Sequence, residues 1–274
     1  GGDNPYPGWD ELRAEDREEA PSVTLVVRDA AGQVVRRVSG APAKGYHRVA
    51  WNMRYPAPDA VNLSPPGNLA PWQSEPQGPL AKPGEYTVTL SHRVGGETKE
   101  LSTQSFALKP LFTSTLVTGD RDALLAFQMR TDKLYRAVDG AGSVAGEIQG
   151  RIDHLLKAVD ETTASTEAQA QAVRALNARM QDLRVVLNGD RTISSRNEHV
   201  PLSLSGRVGF LVFGHWDSQT DVGGNYEDSL AIAEQQFSEW LPALKTLAED
   251  LSTLESELQG IGAPWTPGRM PEWP

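Results

Sequence analysis

Two hydrophobic periodicities divide the chain near residue 112. Before that point, short β-branched or alternating runs occur at residues 23–27, 47–52 and 86–90. Such runs, bounded by glycine and proline, are typical of β-strands. After that point, apolar residues recur every three or four positions, which predicts amphipathic helices. The pattern therefore indicates an α+β protein of two domains.

The first half is predicted to be an immunoglobulin-like β-sandwich over residues 21–112. The runs at 23–27 and 86–90 are followed by return strands, at 34–38 and 101–108. The glycines of the 29–32 and 95–96 segments mark the turns between them. Several short strands without a long helix favour a sandwich. Residues 56–83 interrupt it with eight prolines, and a loop of this length is often functional or packed on a neighbour.

The second half is predicted to be an antiparallel three- or four-helix bundle over residues 113–262. Its longest apolar seam ends at Gly260, with Asn225 as the expected N-cap, and Pro242 inside it predicts a kink. Nine residues form this seam: Leu230, Ala233, Phe237, Trp240, Leu244, Leu247, Leu251, Leu254 and Leu258. Their strict 3-4 spacing is that of a buried helix stripe.

Two further seams complete the predicted bundle. One runs over residues 173–187, and the other occupies residues 124–138 and resumes at 148–159. Four glycines lie between the two parts of the latter seam, at 140, 142, 146 and 150. Because each costs about 1 kcal/mol relative to alanine in a helix, we predict a bend, a break or close helix packing there. The apolar run at 202–213 fits a helix or a strand pair, and we favour a helix.

The proline content and the charge balance of the chain both change near residues 110–119. We place the boundary between the two predicted domains there. Thirteen of the 19 prolines precede residue 112, and none lies between residues 110 and 201. Residues 1–20 form an acidic lead-in, and residues 263–274 form a tail rich in proline and tryptophan. The net charge of −10 argues against nucleic acid as a partner, because phosphate contacts need clustered cations.

Several other classes of protein are disfavoured by composition. No apolar run approaches 18 residues, so no membrane span is predicted. We find no signal peptide. The chain begins Gly1-Gly2 rather than with methionine, so we expect a processed product or part of a longer protein. It has no cysteine, which excludes disulfides and thiolate chemistry.

Three segments of the first half resemble a known module. They are Val26-Val-Arg-Asp-x-x-Gly-x-Val-Val-Arg36, Gly45-Tyr-His-Arg-Val-Ala-Trp-Asn-Met-Arg54 and Lys82-Pro-Gly-Glu-Tyr-Thr-Val88. This pattern is similar to the immunoglobulin-like module of flagellar hook-capping and bacterial secreted proteins. It most resembles the C-terminal region of bacterial BNR-repeat, sortilin-like β-propeller proteins, which are often labelled glycosyl hydrolases. The resemblance implies a sandwich followed by helices, in a secreted or periplasmic protein. Any hydrolase activity would then belong to the propeller, which this chain lacks.

No catalytic residue, metal site or cofactor is predicted. Gly140-x-Gly142-x-x-Ala145 fits a degenerate dinucleotide fingerprint, but that motif requires a preceding strand, and helical periodicity precedes it here. The five histidines are far apart in sequence. The polar segment at 215–228 is interpreted as a loop between helices that carries capping acids.

Tryptophans supply the candidate binding residues. Trp51 and Trp240 fall on apolar faces and are predicted to be core. Trp72 lies in the proline-rich loop, where it could stack on a sugar or pack beneath the loop. Trp265 and Trp273 lie in the tail, which is expected to dock on the sandwich or on a missing domain.

Two functional hypotheses follow. The favoured one is a non-catalytic structural or docking module, whose partner is its own missing N-terminal propeller or another protein. The alternative is a carbohydrate-binding or glycoside-hydrolase-associated module. An exposed Trp72 beside a polar concavity would favour the alternative, and a buried Trp72 would favour docking.

Overall fold

The computed structural model describes residues 6–63, 70, 75–111, 116, 118–271 and 273. The chain divides into two compact units. One unit contains Gly1–Ala57 and Gln77–Val117, and the other contains Pro58–Pro76 and Thr118–Pro274. Within the described residues, the protein is a mixed α/β structure with one four-stranded antiparallel sheet and six helices.

The first unit contains a short helix, α1 (Trp9–Arg17), and the whole sheet. The sheet consists of β1 (Ser22–Asp29), β2 (Val34–Gly40), β3 (Gly84–Val94) and β4 (Glu97–Leu108), and its strand order is β2-β1-β3-β4. The β3–β4 hairpin turns at Gly95 and Gly96, whose φ values are +58° and +79°. Two consecutive positive φ values suit a tight hairpin turn, and glycine adopts them without steric cost.

One face of the sheet packs against an irregular segment. Tyr86 is buried on this face, and the Trp51 ring lies 5.7 Å from the Tyr86 ring and 6.3 Å from the Phe106 ring. Trp51 therefore packs against the core, as predicted. The predicted strand at 47–52 is wrong, because these residues form no ladder and Arg54↔Leu80 is an isolated bridge.

The local backbone explains why residues 47–52 do not pair as a strand. The Trp51 indole N–H donates to the Arg54 carbonyl oxygen at 2.9 Å, so the chain curls back on itself within three residues. Met53 has a φ of +58°, which interrupts an extended backbone. The alternating apolar side chains at 49 and 51 thus pack against the sheet, but their backbone is not a strand of it.

The second unit is helical. Its helices, with their bounds, are α2 (Arg121–Glu161), α3 (Glu167–Asn188), α4 (Arg191–Ser194), α5 (Leu204–His215) and α6 (Gly224–Gly260). All but the single-turn α4 share one core of buried apolar side chains, and α2 contacts α3, α5 and α6. The favoured helix at 202–213 is confirmed as α5. No helix in the described ranges is long and apolar enough to cross a membrane.

Helix α6 carries the predicted seam. Eight of its nine residues are buried, and Phe237 is partly buried against the same core. The helix continues through Pro242 and ends at Gly260. Asn225 is not its N-cap, because the helix begins after Gly223, whose carbonyl oxygen accepts from the Tyr226 and Glu227 N–H groups.

Helix α2 is continuous across its four glycines. The predicted break in the helix is therefore wrong. All nine seam residues are buried: Leu124, Phe127, Thr131, Leu134, Val138, Ile148, Ile152, Leu155 and Val159. Packing of so many side chains offsets the helix propensity lost at the glycines. A side chain at Gly142 would lie 3.7 Å from Leu187 Cδ2, an ordinary contact, and the space at Gly140, Gly146 and Gly150 is open. Close helix packing therefore does not require them.

Gly146→Ala is expected to raise the free energy of unfolding of the helical unit by about 0.5–1 kcal/mol. Gly146 is exposed in the middle of α2, and a methyl group there meets no atom within 4 Å. Urea unfolding followed by circular dichroism would measure the change. Gly268→Ala is the control, and we expect it to lower the free energy of unfolding. Gly268 has a φ of +90°, and Arg151 Cδ lies 3.0 Å from the added Cβ.

Candidate functional site

The C-terminal tail packs on the helices of its own unit. Gly262, with a φ of +82°, turns the chain after α6, and the Ala263 N–H donates to the Leu258 carbonyl oxygen at 3.0 Å. The Arg269 guanidinium then donates to the Glu255 carbonyl oxygen at 2.9 Å and to Gln259 Oε1 at 2.7 Å. The expectation that the tail docks elsewhere is therefore wrong for residues 263–269.

A groove of about 320 Å³ lies between α2 and the docked tail, and we call it the tail groove. Its lining consists of Asp153, His154, Lys157, Ala158, Glu161, Pro264, Trp265 and Thr266. Trp265 is 57% exposed, and its indole N–H donates to the Arg269 carbonyl oxygen at 3.3 Å. The tail thus holds an accessible aromatic ring beside a polar face of α2.

The polar lining of the tail groove comes from one side of α2. Lys157 Nζ lies 3.7 Å from Glu161 Oε1, one helical turn away. Asp153 accepts a hydrogen bond from Gln149 Nε2 at 2.8 Å. His154 Nδ1 lies 2.6 Å from the Gly150 carbonyl oxygen, which can only accept, so Nδ1 carries the hydrogen.

Thr266 closes one side of the tail groove. It is 3% exposed, and its hydroxyl oxygen is buried without a hydrogen-bond partner among the described residues. An unpaired buried hydroxyl costs free energy, so the Thr266 hydroxyl does not help to hold the tail in place.

The three tryptophans that are predicted to bind a partner differ in their relation to the tail groove. Trp265 lines the tail groove. Trp273 is 93% exposed and is not part of that lining. Trp72 lies outside the described residues. The structure therefore places one of the three in a concave site, and its partners in that site come from α2, more than 100 residues earlier in the chain.

A second concave surface lies on the outer side of α5, and we call it the α5 surface. Asn188 and seven residues of the 203–214 segment line a groove of about 690 Å³: Ser203, Ser205, Gly206, Gly209, Phe210, Phe213 and Gly214. Phe213 is 89% exposed, and the Phe210 ring stacks on Tyr226 with centroids 5.1 Å apart. Leu202 is also exposed, and its Cδ2 would lie 3.6 Å from a Cβ added at Gly206, which lines this groove.

The sequence carries a signal for the α5 surface that periodicity alone does not reveal. Leu204, Val208 and Leu211 already supply the buried stripe of this short helix. Phe210 and Phe213 fall on the other side, so α5 carries large apolar residues on two opposite sides. A helix of this kind is normally buried on all sides, and here one side faces outward.

His215 was interpreted as part of a polar loop, and the structure corrects this to a core position. Its ring is buried between Phe127 and Tyr226, with centroids 5.1 and 5.0 Å away. Neither ring nitrogen has a hydrogen-bond partner among the described residues. Burial lowers the pKa of His215, against a weaker opposing effect of Glu227. The ring is thus held in its neutral form.

Hydrogen bonds fix the chain around His215. Gln128 Nε2 donates to the backbone oxygens of His215 and Ser218, at 3.0 and 3.3 Å. The Trp216 indole N–H donates to Thr131 Oγ1 at 2.8 Å. These bonds join the α5–α6 connection to α2, so this buried polar cluster has a structural role.

The free energy of unfolding is expected to fall as the pH drops below about 6.5, the ordinary pKa of histidine. Because the pKa of His215 is lowered in the folded state, the unfolded chain binds the proton more readily. His215 therefore makes its full contribution to the free energy of unfolding at a pH above the pKa of the unfolded chain. This contribution is lost as the pH falls towards the lower pKa of the folded protein. Urea unfolding of His215→Leu at pH 7.5 and 5.5 should show a smaller acid-induced loss than the natural sequence.

His154→Gln is the control for this pH dependence, because His154 is exposed. We expect its acid-induced loss to match that of the natural sequence. An equal loss in His215→Leu would contradict the assignment to His215.

Other chemical motifs do not assemble into a site. Gly140 and Gly142 lie inside α2, so the degenerate fingerprint has no strand before it and no helix N-terminus to hold a phosphate. Within the part of the chain that the structure describes, no three histidine or acidic side chains cluster as metal ligands.

No family model, curated protein or solved structure matches this chain. The functional interpretation therefore rests on the two surfaces and their chemistry.

Proposed function

We propose that this chain is a non-catalytic docking module of a larger secreted or periplasmic protein, and that the α5 surface is its contact element. The location and the larger protein are what the resemblance to BNR-repeat, sortilin-like proteins implies. The observation that supports docking is Phe213, which is 89% exposed beside a groove on an otherwise well-packed helical unit.

The α5 surface has the composition of a protein-binding groove. Aromatic residues give the largest apolar areas on burial, of about 150–250 Å² each. Full burial of a phenylalanine side chain contributes about 1.5–3 kcal/mol, before the cost of association is subtracted. Gly206 and Gly209 line the groove without side chains, so a partner backbone can approach closely.

The charge of the sequence that leads into α5 suggests the kind of partner. The residues from 191 to 207 contain Arg191, Arg196 and Arg207 but only one acid, Glu198, although the whole chain has a net charge of −10. Arg207 Nε is buried and has no hydrogen-bond partner among the described residues. We therefore infer an acidic segment of the larger protein as the occupant, with its apolar side chains in the groove.

The finer architecture belongs to the same proposal. We propose that the sheet is one layer of an immunoglobulin-like sandwich whose second layer is the irregular segment around Trp51 and Ala81, which pack on it. We also propose that α2, α3, α5 and α6 form an antiparallel bundle.

Hydrogen exchange in the protein of the natural reading frame tests the docking proposal. We expect amides of residues 204–215 to exchange more slowly in that protein than in the isolated chain. Phe213→Asp should abolish the difference, and Val144→Asp, at an exposed valine of α2, should preserve it. Equal exchange in the two proteins would contradict docking within one polypeptide. A dimer of the isolated chain that Phe213→Asp dissociates would instead identify a second copy as the occupant.

The proposal includes the absence of catalysis by this chain. Purified protein is expected to give no turnover of aryl glycosides or aryl esters above background. Turnover that copurifies with the chain and is lost in Asp217→Asn or Glu227→Gln would contradict it.

A further inference from the structure

We propose that the tail groove binds the guanidinium group of an arginine side chain on a partner polypeptide. This site is separate from the α5 surface and does not depend on it. Its residues belong to α2 and the tail, both of which lie in the helical unit.

The polar groups of the groove are mostly hydrogen-bond acceptors. Asp153 and Glu161 supply carboxylates, and the His154 ring, whose Nδ1 contacts the Gly150 carbonyl oxygen, lies between them on α2. Lys157 is the one cation in the lining, and it already lies next to Glu161. A guanidinium group has five N–H donors and no acceptor. An acceptor-rich site with an excess of carboxylate therefore complements it in both hydrogen bonding and charge.

Trp265 adds an interaction that a guanidinium group uses well. Arginine stacks on aromatic faces, and tryptophan is the strongest aromatic partner for a cation. The ring is accessible, and its N–H is already bonded to the Arg269 carbonyl oxygen, which limits its freedom. The anchored tail thus supplies an aromatic surface with little ordering cost on binding.

The size and charge of the groove argue against other ligands. Its volume of about 320 Å³ is at the small end of the range for ligand sites, and it fits one side chain better than an extended chain. Two carboxylates against one ammonium group disfavour a phosphate or carboxylate ligand. An uncharged sugar brings hydroxyl groups that need donors as well as acceptors, and the lining has few donors.

Fluorine NMR of protein labelled with 5-fluorotryptophan tests the proposal. The chain has seven tryptophans, and the Trp265 signal is assigned from the spectrum of Trp265→Phe. We would titrate acetyl-Gly-Arg-Gly-amide at 25 °C, with the citrulline and lysine peptides as matched ligands and cellobiose as the carbohydrate. The arginine peptide is expected to shift the Trp265 signal saturably, with a Kd on the order of 1 mM. The neutral citrulline peptide should bind at least about tenfold more weakly, since it lacks the charge.

Two variants of equal charge separate the site from general electrostatic attraction. Asp153→Asn removes a carboxylate of the groove, and we expect it to weaken the arginine peptide about tenfold. Asp160→Asn removes an exposed carboxylate of the same helix that does not line the groove, and the Kd should change less than about twofold. Both positions are exposed, so circular dichroism should show unchanged folding.

Several outcomes would overturn the arginine site. Equal loss in Asp153→Asn and Asp160→Asn would mean unspecific attraction to an acidic protein. If the lysine peptide bound as tightly as the arginine peptide, the groove would bind any cation rather than a guanidinium group. Saturable binding of cellobiose without binding of the arginine peptide would make the groove a carbohydrate site. None of these results changes the hydrogen-exchange prediction for α5.

Discussion

Arg151→Met is expected to lower the free energy of unfolding of the helical unit by about 3–5 kcal/mol, because it leaves a buried carboxylate without its partner. Glu255 is 1% exposed and Arg151 is 23% exposed. The guanidinium group binds both carboxylate oxygens, with Arg151 Nε 3.0 Å from Glu255 Oε1. Urea unfolding monitored by circular dichroism would measure the loss.

The chain provides a matched control for this ion pair. Arg130 and Glu234 make the same two-bond contact between α2 and α6, but their side chains are 52% and 36% exposed. Arg130→Met should therefore cost no more than about 1 kcal/mol. The double variant Arg151→Met/Glu255→Leu should recover most of the loss, since it removes the buried charge altogether. A double variant as unstable as Arg151→Met would show that packing of the arginine stem dominates.

Leu247→Ala is expected to cost about 2–5 kcal/mol, because it removes three buried carbon atoms and leaves a cavity. Leu247 is fully buried near the middle of the α6 seam, with seam residues one turn away on each side. The same urea unfolding measurement applies. Glu249→Ala is the control, because Glu249 is exposed on the other side of the helix and should change stability by less than about 0.5 kcal/mol.

The contrast between these two substitutions decides the result. Equal small effects would mean that the α6 seam is not buried in the folded chain. The apolar stripe would then be available to a partner, and α6 would replace α5 as the docking element.

The long helices were predictable from sequence because their signals repeat. Each seam of α2, α3 and α6 places many apolar residues on one face, so a glycine or proline inside it changes little. Helix starts were less predictable, as Asn225 shows. Extended backbone around Gly223 supplies the first acceptor for α6, and that depends on backbone conformation rather than on a favourable capping residue.

Short and irregular regions were harder to predict because tertiary contacts decide them. The alternation at 47–52 correctly placed Trp51 against a core and wrongly implied a strand. His215 sits at the end of a helix among polar residues, which favours a surface position. Only the packing of Phe127 and Tyr226 around it shows that it is buried.

The candidate site was partly predictable. Tryptophan among prolines in the tail identified Trp265, because such a segment cannot form a helix. The groove itself needed the fold, since Asp153 and Glu161 occur on a polar helix face that the sequence does not distinguish from any other. The carbohydrate role of Trp72 stays a prediction.

The ion pairs between α2 and α6 have a consequence for how the protein tolerates change. In each of the pairs Arg130–Glu234 and Arg151–Glu255, the two residues lie 104 positions apart in the sequence. The two long helices therefore run parallel and in register. The chain between them must return along the unit, and it does so in two pieces, α3 and α5. The exposed connection at 195–199 separates these pieces. Because doubling the length of a flexible loop costs only about 0.6 kcal/mol, residues can be inserted there without moving either ion pair. This connection is therefore a natural place to attach a label or a second protein.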